Sequence, residues 1–369
     1  MLRTGVAELP LHHGRAPQWL VSRMVKLAHE ITTIIIEEYG GDEFLRRVSD
    51  PYWFQALGCV LGYDWHSSGV TTVLTGVLKS AIKPGEHGLA VCGGKGRTSR
   101  KAPEEISRIA DQFSLTTGKI EALQYASRMS AKVDNTAIQA GYQLYHHAFF
   151  LTEKGTWAVV QQGMSDQDRT ARRYHWLSEH VQSFVVEPHD AIVGDAKIEN
   201  VLNMTAKESE NCRKASTDLA KEKPERLIRL LGSVLPATQS SLQKWMPKSE
   251  MKTYLAEFSM PKTLNWKLAR KLYETQPSNY EQLLGIRGVG PATVRGLALV
   301  AELVYGSSPS WKDPVKYSFA YGGKDGVPYP VDREAMDKST QILKNAVENA
   351  RIGDNEKLKA LQRLRKYVA

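Results

Sequence analysis

The chain has 369 residues, 42% hydrophobic and 24% charged, ordinary globular values that exclude a wholly disordered, collagen-like or coiled-coil protein. Lysine and arginine number 49 against 40 acidic residues, and the net charge of +9 favours an anionic partner without identifying one. The longest apolar run lies near Ile31–Ile36, too short to span a membrane, and the first residues form no secretory signal, so we expect a cytoplasmic protein without membrane contact.

The first half of the chain alternates helical and strand patterns. Apolar residues spaced by three and four predict a helix over about 17–39, and Asp50 followed by Pro51 is typical of a second helix start. Leu89–Cys92 has the composition of a short buried strand. Two aromatic and β-branched runs, Gln143–Thr152 and Thr156–Gln162, are joined by a short glycine-containing turn and predict a β-hairpin.

A change of composition suggests where the chain divides. Residues 201–232 are rich in Lys, Glu and Arg and contain no aromatic residue, which favours a charged helical linker. Beyond that segment the pattern is helical. We therefore predict an α+β or α/β catalytic domain with a small sheet over residues 1–200, and an all-helical DNA-binding domain over residues 233–369.

A glycine-rich turn in the second half suggests phosphate binding. Gly288 and Gly290 permit close approach of a ligand, Pro291 suits a first helical position, and N–H groups at a helix start can bind a phosphate oxygen. Residues 280–305 resemble the helix-hairpin-helix motif of DNA repair and recombination proteins, which implies contact with the DNA backbone regardless of sequence. The residues that would make this contact are Arg287, Gly288, Val289, Gly290, Ala292, Thr293 and Arg295.

Some helix-hairpin-helix proteins are base-excision glycosylases, and this resemblance implies two further positions. The Schiff-base lysine of the bifunctional enzymes would fall at Ala292, so the lyase reaction lacks its nucleophile there. Asp313 lies nearest to the place of the catalytic aspartate. The favoured interpretation of Asp313 is an N-cap or turn residue before Pro314.

Four further stretches of the chain carry a second resemblance: Thr4–His12, Asp64–Gly69, Trp157–Met164 and Gly322–Gly326. By these stretches the whole chain resembles an uncharacterised, largely archaeal family known only as a domain of unknown function. That resemblance implies a prokaryotic intracellular protein and supplies no activity.

Three basic segments are further candidates for DNA contact. Lys95, Arg97 and Arg100 follow a glycine cluster that contains no acid, which suits a phosphate-binding nest, although the spacing is not that of a P-loop. The alternative interpretation of this segment is a solvated loop. Arg172 and Arg173 lie beside aromatic residues that could stack on bases, unless this is an ordinary helix whose aromatic residues face the core. Lys324, in a glycine-rich loop, could reach a phosphate.

The best candidates for chemistry lie in and near the hairpin: Lys132, Asp134, His146 and Gln161. Strand alternation places His146 on the face opposite to Tyr145 and His147. A hairpin with acid, glutamine and histidine resembles the core of restriction-type nucleases, although Gly163 stands where their motif ends in lysine. A polar sheet face with a structural histidine is the alternative.

These features predict a DNA-binding protein of repair or recombination, and a structure-selective nuclease as its leading activity. In that mechanism Asp134 would hold Mg²⁺ or Mn²⁺ and a histidine would lie near the attacking water. A DNA glycosylase or abasic-site lyase is the first alternative. The second is a non-enzymatic adaptor that holds DNA for another repair protein.

Overall fold

A computed structural model describes residues 17–63, 68–165, 169–194, 197–233, 266–315 and 333–368. Its centre is a five-stranded antiparallel sheet in the order β1-β3-β4-β5-β6, and helices cover both faces. The strands of this sheet are β1 Leu89–Lys95, β3 Gln143–Thr152, β4 Trp157–Ser165, β5 Thr170–Leu177 and β6 Ala191–Val193. The short strands β2 Ile138–Gln139 and β7 Leu202–Asn203 pair separately.

The first helical layer combines both ends of the described chain. Its helices are α1 Gln18–Tyr39, α2 Gly41–Ser49, α3 Pro51–Leu61, α4 Ser68–Ala81, α5 Pro84–His87, α13 Arg333–Asn349 and α14 Asp354–Val368. Asp50 caps α3 as the sequence predicts, because its carboxylate accepts the Tyr52 N–H at 2.8 Å. Arg363 of α14 donates to the Val60 carbonyl oxygen at 2.7 Å and fastens the last helix to α3.

The second helical layer contains the remaining helices. They are α6 Ala102–Gln112, α7 Thr117–Thr136, α8 Glu210–Ala220, α9 Pro224–Ser233, α10 Trp266–Thr275, α11 Tyr280–Gly285 and α12 Pro291–Tyr305. The long helix α7 packs on strands β3 and β4, and α12 packs on α8.

Alternation along the strands explains why the sheet needs two layers. Phe149 and Leu151 belong to the apolar core of the second layer, whereas Ala148 and Phe150 belong to that of the first. Successive side chains of a strand point to opposite faces, so a strand apolar at every position must be covered on both sides. The predicted hairpin is confirmed as β3 and β4, paired from Gln143 to Leu151.

The predicted division into domains is not reproduced as separate cores. Among the described helices after residue 233, α10 to α12 share a core with the sheet, and α13 and α14 share the other core with α1 and α3. The segment 201–232 was expected to be a charged linker, yet it forms β7, α8 and α9 and buries Cys212, Leu219 and Leu227. Its exposed charges lie on the outer face of these helices, whereas the buried Arg213 donates to the Met204 and Ala206 carbonyl oxygens.

Between β5 and β6, Phe184–Val186 forms turns, and Ala191–Val193 is strand β6. No described helix is long and apolar enough to cross a membrane.

Candidate functional site

The glycine-rich turn joins α11 to α12 in five residues, 286–290. Gly288 has φ +106°, a conformation that residues with a side chain rarely adopt. Gly290 directly precedes α12, and no side chain caps the first N–H groups of that helix. Arg287, Gly288 and Ala292 are exposed, whereas Val289 and Thr293 are buried beneath them. The turn therefore presents backbone and one arginine to solvent.

The glycine-rich basic segment lies where β1 ends. Gly93 has φ +89°, and a Cβ atom added there would lie 2.2 Å from the His147 carbonyl oxygen, so only glycine fits. Its N–H donates to Glu105 Oε2 at 2.8 Å and is thereby taken from the predicted phosphate nest. Lys95, Arg97 and Arg100 are exposed as a phosphate-binding role requires.

One pocket of about 530 Å³ lies between this basic segment, α7, the start of β3 and the turn before α12. It brings together the two predicted phosphate-binding motifs, which are almost 200 residues apart in sequence. None of its lining residues is acidic. They are Ser99, Arg100, Pro103, Ser127, Arg128, Ala131, Lys132, Asn135, Thr136, Leu144, His146, His147, Val289, Gly290 and Pro291.

Lys132 connects α7 to the turn. Its amine donates a hydrogen bond to the Val289 carbonyl oxygen. Burial lowers the pKa of this amine, because the charged form loses hydration. Next to it, Gln139 Nε2 donates to the Pro291 carbonyl oxygen at 2.8 Å. These two contacts fix the start of α12 against the layer that carries the basic segment.

Asp134, the predicted metal ligand, lies wholly inside the protein between α7 and the sheet. Its Oδ1 accepts a hydrogen bond from His189 Nε2, and its Oδ2 accepts hydrogen bonds from Gln161 Nε2 and from Trp176 Nε1, the latter at 3.0 Å. Donors thus occupy both oxygens. A metal ion would have to displace them, so the geometry does not favour a metal site at Asp134.

The predicted catalytic cluster separates into two groups on opposite faces of β3. Gln161 meets Asp134 and His147 on the α7 face. His146 bonds Thr75 of α4 at 2.8 Å on the other face, and burial lowers its pKa to about 3. Alternation predicted this separation of the two histidines.

Tyr145 is where the alternation fails. A β-bulge between Leu144 and His146 shifts the register, and the Tyr145 hydroxyl accepts a hydrogen bond from Gln162. Gln162 also donates to the Ser68 carbonyl oxygen at 2.9 Å, on the α4 side. Tyr145 therefore shares the side of His146, because a bulge adds one residue to the alternation.

Arg172 and Arg173 are wholly buried in strand β5, so neither reaches DNA in this fold. Arg172 donates two hydrogen bonds to the Asp313 carboxylate, at 2.9 and 2.7 Å. Arg173 donates to His175 Nε2 at 2.9 Å, and its guanidinium lies 4.8 Å from the centre of the Phe54 ring. Buried charge needs such partners, and the predicted DNA contacts here are replaced by internal ones.

Asp313 is likewise a buried partner of groups inside the protein. Its side chain is fully buried, and besides Arg172 it accepts the N–H groups of Ile198 at 2.8 Å and Val315 at 3.2 Å. A carboxylate that satisfies four donors inside the protein is not available to a base in DNA. This geometry disfavours the glycosylase assignment of Asp313.

Among the described residues, His29, Glu86 and His87 have ligand atoms within 4.8 Å of one another. His87 Nδ1 accepts the Lys83 N–H at 2.8 Å, so its proton lies on Nε2, which donates to Thr33 Oγ1 at 2.9 Å. Both ring nitrogens of His87 are thus engaged. A metal ligand needs a free lone pair, and this group does not offer a complete set.

Two residues of the site carry no signal in the sequence. Ser127 and His189 lie in ordinary helical or loop patterns, and only the fold brings them to the pocket or to Asp134. Arg128 could have been found from its spacing, since it precedes Lys132 by one helical turn. Lys324 lies outside the described residues, as do parts of the stretches that resemble the family of unknown function.

Comparison with known proteins identifies the family and no activity. A family model described as "Protein of unknown function (DUF763)" matches residues 5–331, well over half of the chain. No curated protein and no solved structure matches it. The expected resemblance to a family of unknown function is thereby confirmed, while its archaeal distribution stays a prediction. The chain belongs to the DUF763 family.

Proposed function

We propose that this protein binds the sugar–phosphate backbone of DNA in the pocket between the basic segment, α7 and the turn before α12. The observation that carries the proposal is that two segments with predicted phosphate-binding motifs line one pocket, whose lining holds Arg100, Arg128 and Lys132 and no acid. Cations and the start of a helix attract phosphate oxygens whatever the base, so the binding is independent of sequence.

We propose a role in repair or recombination from the resemblance of residues 280–305 to the helix-hairpin-helix motif. Cleavage assisted by Mg²⁺ or Mn²⁺ is less well supported than binding, because Asp134 is enclosed and the pocket has no acidic lining residue. DNA binding, with or without another repair protein as partner, is therefore the function that we place first.

The test is the affinity for fluorescein-labelled oligonucleotides, measured by anisotropy at several salt concentrations. Arg100→Ala with Arg128→Ala removes two exposed pocket cations. We expect weaker binding to every sequence and a salt dependence that falls by about one unit of log–log slope per lost phosphate contact.

The matched control is Arg23→Ala, which removes an exposed arginine from α1 in the other helical layer. Its affinity should stay at the wild-type value. If the pocket variant binds as tightly as the control, or if the wild type does not bind DNA, the proposal is wrong. Gly290→Glu tests the turn in the same assay, because a carboxylate there repels phosphate and an added Cβ at Gly290 meets open space.

A further inference from the structure

Ser127, His147 and Gln161 form a chain of hydrogen bonds at the floor of the pocket. Ser127 Oγ lies 2.9 Å from His147 Nε2, and His147 Nδ1 lies 2.7 Å from Gln161 Oε1. Ser127 and His147, which are 2% and 5% exposed, both line the pocket from its buried side, on α7 and β3. We call these three residues the serine relay.

The position of each proton in the serine relay follows from its partners. The Gln161 amide nitrogen donates to the Ser130 carbonyl oxygen at 3.0 Å and to the Asp134 carboxylate, so Oε1 faces His147. His147 Nδ1 must then carry the proton that Oε1 accepts. Its Nε2 therefore holds a lone pair, which accepts the Ser127 hydroxyl proton.

The charge state of the histidine agrees with this pattern. Burial lowers the pKa of His147, so the ring is neutral at neutral pH and keeps the Nε2 lone pair that a general base needs. A serine within a helix usually bonds a carbonyl of the preceding turn, as Ser130 does with the Ser127 carbonyl oxygen at 3.2 Å. Ser127 instead directs its hydroxyl to an imidazole nitrogen.

We propose that Ser127 is a nucleophile that cleaves phosphodiesters without a metal ion, with His147 as its general base and Gln161 as the residue that orients His147. The inference rests on the proposed function, because the pocket cations Arg100, Arg128 and Lys132 select phosphate as the group attacked. These cations would also stabilise the negative charge that develops on the phosphate oxygens during the attack.

The reaction has two steps that balance without a cofactor. Ser127 Oγ forms a bond to phosphorus while its proton passes to His147 Nε2, the bond from phosphorus to the leaving oxygen breaks, and that oxygen takes the proton from His147. Water then attacks the resulting serine–DNA phosphodiester. His147 accepts the proton of the water and returns it to Ser127, leaving one strand end with a hydroxyl and the other with a phosphate.

The experiment uses the full chain with end-labelled single-stranded, duplex and branched DNA in EDTA, and measures binding by anisotropy beside cleavage. We expect wild-type cleavage in EDTA and a loss of at least about 1,000-fold in Ser127→Ala with unchanged affinity. The matched control is Ser216→Ala, which removes a buried hydroxyl from α8, outside the serine relay and the pocket lining, and should cleave at nearly the wild-type rate.

A second measurement needs no variant. A fluorophosphonate probe labels serines that a neighbouring base activates, and mass spectrometry of the wild-type protein should locate the adduct on Ser127. Bound DNA that stays intact in EDTA, with Ser127 unlabelled, overturns the inference and leaves the proposed function standing. Cleavage that requires Mn²⁺ and persists in Ser127→Ala overturns it as well. Absence of DNA binding refutes the proposed function and this inference together.

Discussion

Replacing Asp313 by alanine separates a structural aspartate from a catalytic one. Both side chains of the Arg172–Asp313 pair have zero exposure, and two N–H···O contacts of 2.9 and 2.7 Å join them. Asp313→Ala leaves the guanidinium charged in a dry interior. Losing one partner of a buried pair costs about 3–5 kcal/mol of unfolding free energy, out of a typical total of about 5–15 kcal/mol.

Urea unfolding at pH 7, followed by tryptophan fluorescence and circular dichroism, measures this loss. With a denaturant slope near 3 kcal/mol per molar, the midpoint should fall by about 1–2 M. The control Asp218→Ala removes an exposed aspartate from α8 and should change stability by less than about 0.5 kcal/mol.

A double variant tests the reasoning itself. Apolar residues in place of both partners, Arg172→Met with Asp313→Leu, should recover more than half of the lost stability, because no unpaired charge remains. If Asp313→Ala unfolds at the wild-type midpoint and instead abolishes a reaction on damaged DNA, then the pair is not structural and the glycosylase interpretation regains its aspartate.

Two further predictions concern stability. Burial lowers the pKa of His146, His147 and His175 below 6.5, so below pH 6.5 the unfolded chain binds protons that the folded chain does not. Each of these histidines should therefore lower the free energy of unfolding by up to about 1.4 kcal/mol per pH unit. Urea midpoints measured from pH 7.5 to 5 check this loss. Gly93→Ala should lower the melting temperature because its Cβ would meet the His147 carbonyl oxygen, whereas Gly118→Ala, with open space around it, should not; equal melting temperatures would contradict this.

Local patterns predicted what local chemistry determines. The β3–β4 hairpin follows from alternating residues and a glycine turn, and the Asp50 cap follows from the needs of a helix start. Strand β5 was not predicted, because Arg172 and Arg173 give this buried segment the composition of an exposed one. These two arginines can be buried because Asp313 and His175 accept their hydrogen bonds. Arg172 and Asp313 are 141 residues apart, so no local pattern of the sequence predicts their pairing.

Residue choice and residue grouping were predictable to different degrees. Asp134 and Gln161 were chosen together and do meet, since both face the layer between α7 and the sheet. Lys132 was grouped with them, but it lies on another side of α7 and donates to the Val289 carbonyl oxygen in the turn. A helix rotates by about 100° per residue, so two positions on one helix can face different surroundings.

The proposed DNA contact and the proposed chemistry both depend on helix α7. Residues 127, 130 and 134 are spaced by three and four, so all three face the sheet. There the Ser127 hydroxyl bonds His147, and the Ser130 carbonyl and the Asp134 carboxylate accept hydrogen bonds from Gln161. Arg128 and Lys132, one turn apart, lie on the pocket side. Because Lys132 also holds the turn before α12, 157 residues away, a rotation of this single helix would disturb phosphate contact and the serine relay together. Variants that loosen the contact with Val289 should therefore weaken DNA binding even when every cation is retained.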